Sequence, residues 1–154
     1  VLDRLELRIC DYVSDIDLLL AITALLEIRV IHLFENLQTL DPLISSHFSM
    51  DQLIKICDQN EIKVAQKSLD AELIHWRDGK KLICREWIQN LLVDLSFTAE
   101  KLNMNHLLKP IYKVLEDGNQ SMNWIKKHKE GLSIEDIMKY SIKGMIKSEE
   151  ESIE

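Results

Sequence analysis

Basic residues are in deficit: 19 Lys and Arg face 26 Asp and Glu over 154 residues, a net charge of −7. A surface that neutralises a run of phosphates needs the opposite balance, so a nucleic-acid reader is disfavoured. Glycine and proline are scarce too, with four and two residues. A many-stranded sandwich needs turn residues about every 8–12 positions, which leaves a mainly helical chain. The three cysteines, Cys10, Cys57 and Cys84, are odd in number, far apart and in no C-x-x-C pair. That excludes a disulfide framework and a zinc site and fits a reducing cytoplasm.

The chain begins with Val1 rather than Met, and no basic leader runs into a short apolar stretch with a small-residue cleavage site. No secretory signal is expected, and the location expected is cytoplasmic. The longest apolar run, residues 18–34, is broken by Glu27, Arg29 and His32. At a bilayer centre Glu27 and Arg29 would each cost roughly 2 to 3 kcal/mol, so this run reads as a buried core helix and no membrane association is expected. What is present is ample: 46% hydrophobic residues suffice for the core of one domain and exclude a disordered chain.

Residues 5–10, L-E-L-R-I-C, alternate strictly, with Leu5, Leu7 and Ile9 on one face and Glu6, Arg8 and Cys10 on the other. This predicts a strand. Ser14 is placed to cap a long helix running to about Gln38, with Asp15 and Asp17 in its first turn. Thr39 to Ser49, with Pro42 and three serines, reads as a loop. Ser49 and Gln52 form a capping box for a second helix reaching about Ser68.

The segments A-E-L-I-H-W and K-L-I-C flank Asp78-Gly79 and predict a short hairpin. A third helix starts near Arg85, with Trp87, Ile88, Leu91, Leu92, Leu95 and Thr98 or Ala99 at helical spacing, and fades by Asn103 to Asn105. Pro110 suits a helix start, Gly118-Asn119 separates that helix from the next, and Gly131 ends the latter. Ser133 with Asp136 caps a last helix whose apolar stripe is Ile134, Ile137, Met138, Ile142 and Met145. After Lys147 the acidic tail is expected to fray, so residues 1–148 form one unit and 149–154 a tail. No fixed-period repeat is visible, which excludes a solenoid.

On the opening strand Glu6 and Arg8 share a face, roughly 6 to 7 Å apart between Cα atoms, and Arg4 joins them. If that face lines a cleft, a carboxylate can hold Mg²⁺ while a guanidinium grips phosphate oxygens. The alternative is a solvated charge pair on a surface strand, which is common and weak.

Several separated segments resemble one family. L-E-L-R-I-C-D, with its Glu-x-Arg-x-x-Asp pattern, is similar to the active-site strand of glutamate-cysteine ligases and related carboxylate-amine ligases. S-D-I-D-L-L-L-A-I-T-A-L-L-E is similar to the helix that leaves this strand, most closely in the cyanobacterial type. Q-N-E (59–61), S-L-D-A-E-L (68–73), H-W-R-D-G (75–79), R-E-W (85–87) and D-G-N-Q (117–120) recur in the same order. Two departures stand out: many relatives carry Gly where Ser68 stands and Arg where Glu61 stands.

The resemblance implies an ATP-dependent ligase in which the glutamate γ-carboxylate is phosphorylated and the cysteine amine attacks the acyl phosphate. It implies an α+β parent fold, a glutamine-synthetase-like antiparallel sheet with helices. This chain would be its carboxy-terminal portion, predominantly α-helical with one amino-terminal strand and a short hairpin, and inactive alone. ATP and Mg²⁺ are the implied cofactors, and glutamate and cysteine the small-molecule partners. Glu6 would be the Mg²⁺ ligand, Arg8 the catalytic contact to the transferring phosphate and to ATP, and Asn60 a further candidate for cofactor binding. Two other readings remain open: a ligase of the same fold with another amine acceptor, and a non-enzymatic helical interaction module that uses residues 18–34.

The remaining residues have plainer readings. His32, His47, His75, His106 and His128 form no i, i+4 pair and no expected metal cluster. Cys10 reads as a small packed thiol. Trp76, Trp87 and Trp124 read as core anchors. The run Ile125 to Lys129 reads as a solvated helix end, and there is no glycine-rich phosphate loop.

Overall fold

The computed structural model describes Val13 and residues 15–151. The segment read as the opening strand, and with it Glu6, Arg8 and Cys10, lies outside the described residues, as does Ser14. Helix α1 (Ile16–Glu35) is capped by Asp15 and not by Ser14, the Asp15 carboxylate accepting from the Leu18 N–H at 3.0 Å. An aspartate there satisfies an orphan donor and also meets the positive end of the helix dipole.

Helix α1 stops short of Gln38. Asn36 leaves the helical region (φ −129°, ψ 30°), and its side-chain amide donates to the His32 carbonyl at 2.9 Å, occupying an acceptor at the helix end. The expected loop from Thr39 to Ser49 is partly wound, into the single turns α2 (Leu37–Leu40) and α3 (Pro42–Ser45). Between them Asp41 is held extended by the following proline, and its carboxylate accepts from the Leu43 N–H at 2.9 Å.

The capping box opens α4 (Met50–Lys67) as read: Ser49 N–H donates to Gln52 Oε1 at 2.8 Å, and Gln52 N–H to Ser49 Oγ at 3.4 Å. A 3₁₀ turn, Ser68–Asp70, leads to β1 (Glu72–Ile74), which pairs antiparallel with β2 (Lys81–Ile83) in the register Glu72↔Ile83, Leu73↔Leu82, Ile74↔Lys81. Ser68 stands at φ 52° and ψ −129°, a conformation free of strain only for glycine. Gly79 turns the hairpin at φ 75°, and a Cβ there would lie 2.9 Å from the Phe48 ring.

Then follow α5 (Cys84–Lys101), a 3₁₀ turn (Asn105–Leu108), α6 (Lys109–Asp117), α7 (Gln120–Lys129) and α8 (Ile134–Glu151). Helix α8 is assigned as far as Glu151. Glutamate is a good helix former, which favours that extension.

The core gathers Ala21, Ala24 and Ile28 of α1, Leu92, Leu95 and Ala99 of α5, and Ile111 and Leu115 of α6, with Leu69, Ala71 and Leu73 beneath the hairpin. Small residues on the inner face of α1 let it pack against both α5 and α6. The reading of 18–34 as a buried helix holds for that face alone, since Leu19, Leu20 and Phe34 are exposed. Among the described residues no helix is long and apolar enough to cross a membrane.

Two of the expected patterns are only partly buried. Only Ile137 of the α8 stripe is buried; Ile134, Met138 and Ile142 are exposed because α8 packs mainly on α7. None of the three tryptophans is fully buried: Trp87 packs on the core, and Trp124 donates from Nε1 to Ser141 Oγ at 2.9 Å. An indole with a reachable partner for its N–H is stable at the surface of a core.

Candidate functional site

Asn60 is the one sequence-predicted site residue within the described part. Its Nδ2 donates to the Ile74 carbonyl at 2.9 Å, and its Oδ1 accepts from the Ile74 N–H at 2.8 Å. It thus acts as a short extra strand, satisfying both free backbone groups on the outer edge of β1 and fixing the hairpin to α4. Its neighbour Glu61 is exposed.

Behind that edge, α1, the hairpin and α5 enclose a cleft of about 170 Å³. The H-W-R-D-G segment supplies His75, Trp76 and Arg77, the first turn of α5 supplies Trp87, and α1 supplies Arg29. The aromatic wall is continuous: His75 stacks on Trp76 with ring centroids 5.4 Å apart and meets Trp87 at 5.0 Å. The Arg77 guanidinium lies 5.0 Å from the Trp76 ring centroid and donates from Nη2 to the Thr39 carbonyl at 2.6 Å. Its Nε is buried without a hydrogen-bond partner.

The surroundings of His75 favour its neutral form. Burial pushes its pKa below the ordinary value, and the Asp78 carboxylate opposes that shift. The geometry agrees, because Nδ1 lies 3.3 Å from the Arg77 N–H and accepts from it, which leaves the ring proton on Nε2. Asp78 Oδ1, at 3.4 Å from the same nitrogen, becomes an ion-pair partner only when the ring takes a second proton.

Arg29 emerges half-buried from the apolar helix α1. Burial lowers its pKa and the Asp94 carboxylate works against that, yet a guanidinium remains charged at pH 7. Among the described residues Arg29 has no hydrogen bond and no ion pair within 4 Å. Asn90 and Asp94 of α5 complete the wall. The sequence reading did not bring these residues together: it treated Arg29 as an interruption of an apolar run and H-W-R-D-G as part of a hairpin and of the family likeness. A lone arginine inside such a run was the available signal.

A second hollow of about 200 Å³ lies where α1 begins, walled by Val13, Asp15, Lys113, Asp117 and Gly118. Val13 is the described residue nearest the opening segment, and Asp117-Gly118 belongs to the D-G-N-Q motif. The next residue of that motif, Asn119, caps α7 through the Met122 N–H at 3.0 Å and donates to Ser68 Oγ at 2.6 Å. Two of the separated motifs are therefore joined by a side-chain bond.

Among the described residues no three His, Cys, Asp or Glu side chains converge as metal ligands. Cys57 is exposed, whereas Cys84 is buried and its thiol pKa is pushed up by that burial. The basic end of α7 is largely exposed, as read, with Lys127 Nζ set 3.3 Å from the Tyr140 ring centroid.

The sequence matches the family model of Glutamate-cysteine ligase family 2 (GCS2) over residues 1–151. No curated protein and no solved structure matches the chain.

Proposed function

From the premise that the chain belongs to glutamate-cysteine ligase family 2, we propose that it serves ATP-dependent ligation of the glutamate γ-carboxylate to the amine of cysteine, the first step of glutathione synthesis, in the cytoplasm. The γ-phosphoryl group of ATP passes to a γ-carboxylate oxygen and ADP leaves. The amine lone pair then attacks the acyl carbon, the carbon–oxygen bond to phosphate breaks, and the amide forms with release of phosphate and a proton. Charge neutralisation and positioning carry such a reaction, and no protein nucleophile is required.

Arg8 would contact the transferring phosphate and ATP, and Glu6 would hold Mg²⁺, which would supply neutralisation of phosphate charge. The described residues do not by themselves make a metal site, so the assignment rests on the opening strand. Asn60, the further candidate for cofactor binding, has both polar atoms of its side chain engaged by Ile74, so its part would be to fix the hairpin. In this reading residues 1–148 are the carboxy-terminal part of one ligase catalytic domain, and the rest of the site comes from preceding chain. The observation that carries the proposal is the family match, which includes the Glu6-x-Arg8 segment.

The test is ADP release by the complete polypeptide with glutamate and a panel of amines. Cysteine is expected to give the highest turnover, and Arg8→Lys to reduce it sharply because the two-pronged grip on phosphate is lost. Preference for another amine overturns the acceptor assignment, and an unchanged rate in Arg8→Lys removes the role of Arg8.

A further inference from the structure

The cleft between α1, the hairpin and α5 has features that a merely structural hollow does not need. Two guanidinium groups, Arg29 and Arg77, line it against a single carboxylate, Asp94, so the wall has an excess of positive charge. Neither arginine is fully satisfied by the protein: Arg29 has no hydrogen bond or ion pair among the described residues, and Arg77 leaves Nε buried and unpartnered. A buried donor without an acceptor destabilises a fold, and an acceptor brought by a ligand removes that penalty. The flanking indoles of Trp76 and Trp87 lower the local dielectric constant, which strengthens any charge-assisted bond formed there.

We propose that this cleft binds a compact oxyanion, the carboxylate or phosphate group of a molecule about the size of an amino acid. The volume of about 170 Å³ accommodates a group of that size. Arg29 provides the first contact because, among the described residues, its guanidinium has no hydrogen bond or close ion pair, only the longer-range pull of Asp94. The Arg77 guanidinium, held by the Thr39 carbonyl and the Trp76 ring, provides the second. Asn90 is placed to donate an amide hydrogen, and Asp94 acts against the anion, so the wild-type affinity is lower than the two arginines alone would give. The inference stands on this geometry and does not need the ligase reading.

Trp76 and Trp87 report on the cleft directly, while Trp124 at the α7–α8 contact supplies a constant background. Titration of the full chain with inorganic phosphate and separately with glutarate, at constant ionic strength set by sodium chloride and without ATP, is expected to give a saturable fluorescence change. Half-saturation is expected at or below about 1 mM for at least one of them. Response to phosphate alone identifies a phosphate group as the occupant, response to glutarate alone a carboxylate, and response to both the shared oxyanion chemistry. Arg29→Gln should weaken binding about tenfold, and Asp94→Asn should tighten it several-fold, a gain that misfolding cannot imitate. No saturable signal, an equal response to sodium chloride alone, or affinities unmoved by both substitutions overturns the proposal. Because no turnover is read, failure here leaves the ligase reading untouched, and failure of that reading leaves this one.

Discussion

At the hairpin, Asn60 grips both backbone groups of Ile74, Phe48 lies over Gly79, and Lys81 Nζ pairs with Glu72 at 2.7 Å. At the α7–α8 end, one bond from Trp124 to Ser141 and the Lys127 ammonium over Tyr140 join two helices whose apolar residues stay largely open. Both regions carry apolar residues at regular spacing. They differ in how many independent elements meet: α4 packs on β1 and α5 on β2, whereas α8 has α7 as its main neighbour. A regular apolar pattern therefore defines a face, and burial of that face depends on what arrives to cover it.

The largest contrast is expected from truncating one residue on each side. Leu95→Ala removes a side chain that is 0% exposed in the core beneath the hairpin, with an expected loss of about 2–5 kcal/mol in denaturant unfolding. Met138→Ala, at a position 48% exposed on α8, should change stability by no more than about 0.5 kcal/mol. Equal losses would mean that α8 is as firmly packed as the core and would erase the distinction.

A smaller effect isolates the polar clamp. Asn60→Ala leaves the N–H and carbonyl of Ile74 without their partners, and a loss of about 1–3 kcal/mol is expected. Hydrogen exchange should quicken at Ile74 while the α8 amides keep their rates. Acceleration spread evenly over both regions would show that the clamp supports the whole chain rather than the hairpin.

The mildest test is pH. The His75 pKa is lowered in the folded state, so between the ordinary imidazole value of 6.5 and that lowered value the unfolded chain binds a proton that the folded chain does not. Stability therefore falls as pH drops through that window and is unaffected by this residue above it. His75→Gln should flatten that part of the Tm profile. A profile unchanged by the substitution would assign the acid sensitivity to another group.

Much of the secondary structure was legible because its signals are local. Ser49 and Gln52 cap α4 through each other, Asp78-Gly79 turns the hairpin, and Pro110 and Gly118 bracket α6. Errors arose where a side chain chose between local partners: Asp15 caps α1 where Ser14 was expected to, and Asn36 ends that helix early by returning to the His32 carbonyl. The candidate site was less legible. Trp76, Arg77 and Trp87 were visible within motifs, but their meeting with Arg29 and Asp94 requires α1 and α5 to pack side by side.

By itself, the sequence determined the helical class, the Ser49 and Ser133 caps, the hairpin and the likeness that the family match bears out, since each depends on residue type and short spacing. Only the tertiary structure decided which apolar faces are covered, that Asn60 serves the edge of β1, and that two arginines from distant elements share one cleft. The physical reason is range: caps and turns are set by hydrogen bonds within a few residues, whereas burial and charge compensation are set by neighbours that only the packed chain brings together.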